Sequence, residues 1–376
     1  TWTWEHEQAV ADFGDALNDE IEADYHRFDL PEGTHWNDVA RSTLPNLGAR
    51  IQKALDKIAQ ANAEKLAGIF GDAAWGNKER LPEEHLRNLI SSFDGLNLNP
   101  DEVSHDMLGQ AYEYLLKYFA EGAGQKAGEF FTPRQVVRLL VRLLDPQPEE
   151  TIYDPTCGTG GMLSESEKHL KSYNNAIKLG LYGQEYNNES YAICCADLLI
   201  KDEPAANIIF GDTLGVKNAK DKGNGFTPHD GHPHQRFDYM FANPPFGVKW
   251  ENQKEFVENE HSNEGFKGRF GAGLPRINDG SLLFLQHMIS KMKQPEENDG
   301  QGSRIAVVFN GSPLFTGDAG SGESNIRRFC IENDLLEAVI ALPDQMFYNT
   351  GIYTYIWILS NKKSPERQGK IQLIDA

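Results

Sequence analysis

The sequence predicts an α/β protein: a helical N-terminal domain, residues 1–120, then a second domain, 121–376, built on a mostly parallel sheet with an antiparallel edge strand. Three observations predict it. Residues 1 to about 120 carry apolar side chains at helical spacing and little strand-like alternation. From about Ala127 onward, short β-rich runs alternate with helical ones, the pattern of strands joined by crossover helices and covered on both faces. The last two β-rich runs follow each other without a helix, which implies that they pair antiparallel at the sheet edge.

In chain order, "ARIQKALDKIAQANAEKLAGIF" and "SHDMLGQAYEYLLKYFAEG" read as amphipathic helices, the second stopped by Gly122. The Trp and Tyr residues of this region are expected in its core. "TPRQVVRLLVRLLD" is the next helix, and "TIYDPTCGTGG" is a short strand entering a glycine turn. A helix over 161–172, strand "LGLYGQE", a helix over 187–200 and strand "ANIIFGD" follow. Then come strand "FDYMFAN", helix "GSLLFLQHMISKM", strand "SRIAVVFN", a helix near 324–333 and strand "LLEAVIALP". "YTYIWILS" and "KIQLIDA" close the chain. Residues 215–236 and 247–280 read as long loops. The second carries Lys249, Lys254, Lys267, Arg269 and Arg276 among glycines, and is expected to be mobile and to face nucleic acid.

At 376 residues, the length suits two or three domains. No apolar run approaches membrane-spanning length, and no signal-peptide pattern is present. The chain starts at Thr1 rather than Met, so a native start upstream is expected. The four cysteines, Cys157, Cys194, Cys195 and Cys330, lack CxxC or zinc spacing, which suits a reducing cytosol. The formal charge of −20 opposes a chain that holds a polyanion unaided.

Chemistry concentrates at strand ends. "DPTCGTGG", Asp154 to Gly161, lies between a strand and a helix, where glycines let backbone approach a ligand and the helix start offers free N–H groups. Its spacing is neither GxGxxG nor a P-loop, and alone it is as readily a plain tight turn as a cofactor site. Glu185 ends the next strand, placed to accept from ribose hydroxyls, and Asp212 ends the third, placed to accept from an exocyclic amine. Each alone is as well explained as a helix cap or solvated strand end. The ordered series favours a cofactor bearing a nucleoside.

"YMFANPPFG" ends the fourth strand, across the point where such a sheet reverses direction. Pro244 and Pro245 stiffen the turn, so the Asn243 side-chain oxygen and the Pro244 carbonyl make a pair of acceptors suited to a planar NH2 group. Phe246 offers a face for a flat base.

"GEFFTP", "DPTCGTGG" and "NPPF", in that order and spacing, resemble amino-group DNA methyltransferases that use S-adenosylmethionine. Within them the chain is most similar to the modification subunits of type I restriction–modification systems, through "GQKAGEFFTPRQVVRLLVRLLDP" after a helical N-terminal region. The resemblance implies a Rossmann-like methyltransferase domain. It places Phe131, Thr132 and Pro133 at the methionine part of the cofactor. Asp154, Cys157, Gly158, Thr159 and Gly160 become the cofactor loop, with Glu185 at the ribose and Asp212 at the cofactor adenine. Asn243, Pro244, Pro245 and Phe246 become the catalytic pocket for an adenine N6 flipped out of duplex DNA. The implied partners are a DNA specificity subunit, a restriction subunit that translocates and cleaves, double-stranded DNA, and a second copy of this chain. The helical N-terminal domain is expected to close that complex around DNA. The implied location is bacterial or archaeal cytoplasm, without a membrane. Family members continue past "IQLIDA", so a further C-terminal helical segment is expected.

Other features carry less. His229, His232 and His234 cluster in "PHDGHPHQ", but on a Gly/Pro loop without a ligand inventory, so no metal is expected. Cys194 and Cys195 sit on an apolar helix and read as core. Methyl transfer to an amine needs no covalent enzyme intermediate, which argues against Cys157 as a nucleophile, and "VFNGSPLF" lacks GxSxG geometry. Two other readings keep the site: transfer to an RNA base or protein glutamine, and a non-catalytic scaffold that only binds cofactor.

Overall fold

The structure, a computed structural model, describes residues 2–41, 44–66, 68–71, 73–103, 107–108, 111, 114–115, 118, 132–173, 180–201, 203–216, 226–298, 300–347 and 351–376. The chain divides into two compact units, residues 1–116 with 196–206, and residues 117–195 with 207–376.

The first unit is helical. Its helices include Trp2–Phe13, Asp19–Tyr25, Leu47–Ala61 and Glu83–Phe93. Asn18 caps the second of these by accepting from the backbone N–H groups of Glu20 and Ile21. Leu47, Ala54 and Leu86 are buried where the helical period places them. The aromatic residues depart from expectation. Trp36 is 49% exposed, and Tyr114 is exposed as well. The Trp36 indole donates to Asp94 Oδ1 at 2.9 Å, so a surface carboxylate satisfies its polar edge. The expected helix over 104–122 lies largely outside the described residues.

The second unit is built on an eight-stranded sheet: β1 Thr151–Asp154, β2 Gly180–Glu185, β3 Ile208–Phe210, β4 Tyr239–Ala242, β5 Arg304–Asn310, β6 Leu336–Ala341, β7 Thr354–Ser360 and β8 Gln372–Asp375, in the order β3-β2-β1-β4-β5-β7-β6-β8. β1 to β5 pair in parallel. The mostly parallel sheet with an antiparallel strand towards one edge is therefore present. One pairing is corrected. "YTYIWILS" does not pair with "KIQLIDA": β7 lies between β5 and β6, antiparallel to both, and β8 pairs with β6 in parallel. Burial explains the insertion, because Ile356 to Leu359 of β7 are buried while Leu373 of β8 is 79% exposed. A strand with a continuous apolar run belongs inside a sheet, and a half-polar one at its edge.

Tyr153, Met240, Ile305, Val307, Phe309, Trp357, Leu285 and Met288 form the main core beneath the sheet. Burying an aliphatic or Phe side chain of this kind stabilises by about 1.5–3 kcal/mol. Helix Arg134–Leu144 buries Val136, Val137, Leu140, Val141 and Leu144, one face at helical spacing, and keeps its arginines outside. Among the described residues, no helix is long and apolar enough to cross a membrane.

Residues 247–280 are not the long loop expected. Lys254–Glu264 is a helix, and Trp250, Val257 and Phe270 pack with Leu214 and Leu283 in a second small core. Three anchors spread over about twenty residues show no clear period, so the segment's charge and glycines dominated the reading. Arg269, expected to face nucleic acid, is instead paired with Glu260 at 2.7 Å, each side chain only 12% exposed.

Candidate active site

β1 and β4 are neighbours, with β2 and β3 following on one side and β5 on the other. Chain direction across the sheet reverses between β1 and β4, and ligands bind at such a switch point beyond the strands' C-terminal ends. Asp154, Glu185, Asp212 and Asn243 all stand at or just past those ends. The parallel registers carry them to one edge.

The glycine turn after β1 is tightly held. Asp154 Oδ1 accepts from the Thr156 backbone N–H at 2.9 Å. Cys157 N–H donates to the Gln184 carbonyl, and Gly160 N–H to the Cys157 carbonyl. Gly160 has φ +81°, the left-handed conformation, and immediately precedes helix Gly161–Lys171. Cys157 is buried, with its thiol against Cys194 and Gly183. Any hold of Cys157 on a ligand therefore comes from backbone.

Glu185 ties this turn to β2. One carboxylate oxygen accepts from Gly158 N–H at 2.8 Å, the other from Asn187 N–H at 2.6 Å. Asp212 shapes the turn after β3: Oδ1 accepts from Leu214 and Gly215 N–H, and Oδ2 from Gln253 Nε2 at 2.7 Å.

All three acids are raised above the usual carboxylate range, with burial the largest cause. Asp154 is pushed up to about 7, with the Thr156 N–H opposing and the charge of Glu185 adding. Glu185 is raised against the N–H donors of Asn187, Gly158 and Tyr186. Asp212 is raised against Gln253, Gly215, Leu214 and the charge of Arg269. Among the described residues, no cation pairs with Asp154 or Glu185. Such a cradle repels a pyrophosphate. It fits a ligand that presents cationic and donor groups along its length, as S-adenosylmethionine does with its ammonium, sulfonium, ribose hydroxyls and adenine amine.

After β4, Asn243 Nδ2 donates to Thr132 Oγ1 at 3.0 Å, and Asn243 Oδ1 is buried without a hydrogen-bond partner among the described residues. Pro244 is buried and Pro245 exposed. Phe246 is half-buried and meets Phe347 edge-on, ring centroids 6.3 Å apart. An oriented amide oxygen and an aromatic ring, at the end of the strand beside the acidic cradle, can receive an NH2 group on a flat base.

Thr132 and Pro133 are described, with Thr132 at the Asn243 amide; Phe131 lies outside the described residues. His232 is buried, its ring among Tyr153, Tyr182 and Phe237, and its Nε2 at the Gly183 carbonyl. His229 and His234 are exposed. Sequence reasoning missed Phe347 and Gln253, and gave Arg269 a nucleic-acid role in place of its internal one. Phe347 had a signal: it follows a strand parallel to β5, so it arrives at the edge that carries Asn243.

Fold and site define a doubly wound α/β domain whose strand-end acids and Asn243 amide meet at one edge of the sheet. The chain belongs to the N-6 DNA methylase family, which it matches over residues 103–376. It is 30% identical over 349 residues to the type I restriction enzyme MjaVII methylase subunit of Methanocaldococcus jannaschii, covering 91% of this chain and 55% of that one. It is 28% identical over 369 residues to the type I restriction enzyme HindI methylase subunit of Haemophilus influenzae, covering 92% and 75%. The chain thus spans little more than half the length of the first of these curated relatives. A type I restriction–modification methyltransferase subunit from Streptococcus thermophilus shares the fold, with a TM-score of 0.72 at 22% identity over 98% of this chain and 75% of that one.

Proposed function

We propose that this chain transfers a methyl group from S-adenosylmethionine to the N6 of an adenine flipped out of duplex DNA, as the modification subunit of a type I restriction–modification system. The observation that carries the reading is the oriented Asn243 amide, its buried Oδ1 unpaired among the described residues, at the end of the strand adjoining the one that opens into the acidic cradle. Asp154, Thr159 and the backbone of Cys157, Gly158 and Gly160 form the cofactor loop. Glu185 takes the ribose, Asp212 the adenine, and the segment of Phe131, Thr132 and Pro133 the methionine end. Residues 121–376 make up the methyltransferase domain, and the helical domain, 1–120, helps close the complex around DNA.

When bound, the sulfonium supplies an activated methyl group; the protein supplies alignment and electrostatics. The N6 lone pair of adenine is delocalised into the ring. Asn243 Oδ1 and the Pro244 carbonyl accept hydrogen bonds from its two N–H groups, which favours a tetrahedral nitrogen with an available lone pair; as the N–CH3 bond forms and the S–CH3 bond breaks, the methylated amine sheds one proton to solvent. Phe246 stacks on the extruded base. A specificity subunit supplies sequence reading, a restriction subunit joins for cleavage, and two copies of this chain serve one complex.

The test is transfer of labelled methyl to DNA, RNA and protein, with and without the specificity subunit. DNA labelling at adenine N6, lost in Asn243→Ala while cofactor still binds, is expected. Labelling of RNA or glutamine instead refutes the substrate, and cofactor binding without any transfer supports the scaffold reading.

A further inference from the structure

Arg269 makes more polar contacts than an arginine on a solvated loop would need. Its guanidinium donates to the Thr213 carbonyl at 2.6 Å and the Leu214 carbonyl at 3.0 Å, the two residues directly after Asp212. It forks onto both carboxylate oxygens of Glu260 and stands over the Phe270 ring, 4.6 Å from its centroid. A further N–H meets His287 Nδ1 at 3.2 Å. With Nδ1 accepting, the His287 proton sits on Nε2, which lies 3.1 Å from the Tyr153 hydroxyl. Tyr153 immediately precedes Asp154 in β1. Gln253, sixteen residues before Arg269, donates to Asp212 Oδ2 from the same segment.

We propose that Arg269 is a positioning residue for the base end of the cofactor pocket: held by Glu260, it fixes the Thr213 and Leu214 carbonyls and so aims the Asp212 carboxylate, with Gln253 aligning Oδ2. This rests on the reading that Asp212 receives the cofactor adenine. Asp212 Oδ1 is occupied by the two N–H groups of its own turn, while Oδ2 has one bond among the described residues, so it retains room for one more donor. That room is useful only if the turn holds still. Without Arg269, the two carbonyls lose these donors and Glu260 becomes a largely buried carboxylate without its counter-ion. Lysine cannot replace the fork, because one ammonium cannot meet Glu260, two carbonyls and an imidazole in these directions. The arrangement also explains why the segment after the catalytic turn is folded: it supports the adenine-facing turn of a different strand.

A cofactor product that differs only at the amine tests this. Calorimetry on the full chain compares S-adenosylhomocysteine with S-inosylhomocysteine, in which a carbonyl replaces the exocyclic amine. Wild type should prefer the adenosyl form by tenfold or more. Arg269→Gln should lose most of that preference and bind the inosyl form within twofold of wild type. Arg269→Lys should lie near Arg269→Gln rather than near wild type, and it decides the matter if the glutamine variant does not fold. Gln253→Ala should lose part of the preference. Retained preference in the Arg269 variants overturns the inference and leaves the cofactor reading intact. An equal fall for both ligands marks a structural role and also overturns it. Wild type that binds neither ligand overturns the cofactor reading itself.

Discussion

Asn243 donates to Thr132 Oγ1 through Nδ2 and leaves its Oδ1 buried with no partner among the described residues, so one hydrogen bond both orients the amide and presents an unmet acceptor. A buried polar atom left unpaired costs about 1–3 kcal/mol, and the cost is recovered if substrate completes the bond. Thr132→Val keeps the shape and removes the hydroxyl that holds the amide. Steady-state kinetics at saturating cofactor should show kcat falling roughly 5- to 10-fold, the worth of one net hydrogen bond. An unchanged kcat means that Thr132 does not orient the amide.

The glycine loop makes a steric prediction. A Cβ at Gly160 would stand 2.7 Å from Cys194 Sγ, and φ there is +81°. Gly160→Ala should therefore destabilise the protein by more than the ~1–2 kcal/mol of left-handed strain alone. Adding Cys194→Ala should recover the steric part and leave the strain. Urea unfolding of the four combinations measures this. Strict additivity of the two substitutions would show that the sulfur and the new methyl do not meet.

The residues at strand ends were legible because a doubly wound sheet sends every parallel strand to one edge. Asp154, Glu185, Asp212 and Asn243 needed only the strand–helix alternation to be brought together. The position of β7 was not legible, since sequence order says nothing about which pair of strands a third will separate. Nor was Arg269, because a charged residue among glycines reads the same whether it faces solvent or a buried carboxylate. Thr132 was visible as a motif residue, but its contact with Asn243 spans 111 positions and depends on tertiary geometry.

Asp154 ties stability to pH. Burial raises it from 3.8 to about 7 in the folded protein. The folded state therefore holds a proton that the unfolded chain has released between those values. The linked stability is fully present below about 3.8 and is lost as pH rises to about 7. Asp154→Asn removes the titration and retains an acceptor for the Thr156 N–H. Its stability relative to wild type should improve from pH 4.5 to pH 8 in urea melts. A difference independent of pH would mean that burial does not govern this carboxyl. The ionised form also suits a cationic ligand, so cofactor affinity should rise over the upper part of the same window.

The charge of −20 leads to the last prediction. Affinity for duplex DNA comes mainly from cations that displace counterions at phosphates, and a strongly negative field slows approach. Arg269 is committed to Glu260 and to backbone carbonyls, which removes it from the cations once expected to face DNA. Lys249, Lys254, Lys267 and Arg276 remain exposed in the same segment, yet Lys249 lies 3.4 Å from Glu251 and Lys254 3.8 Å from Glu258. Exposed pairs of this kind are weak, so phosphates can compete for them, but only at modest gain. The purified chain should therefore shift DNA weakly and without site preference. A specificity subunit should convert this into tight, salt-sensitive, site-specific binding with methylation at adenine N6. Lys267→Glu should raise the Michaelis constant for DNA in that complex. Arg269→Glu should instead impair cofactor binding, because its partners are internal. Gel shifts over a salt series, with and without the second subunit, read the first part; steady-state kinetics and calorimetry read the second. Tight, site-specific methylation by the chain alone would refute the division of labour.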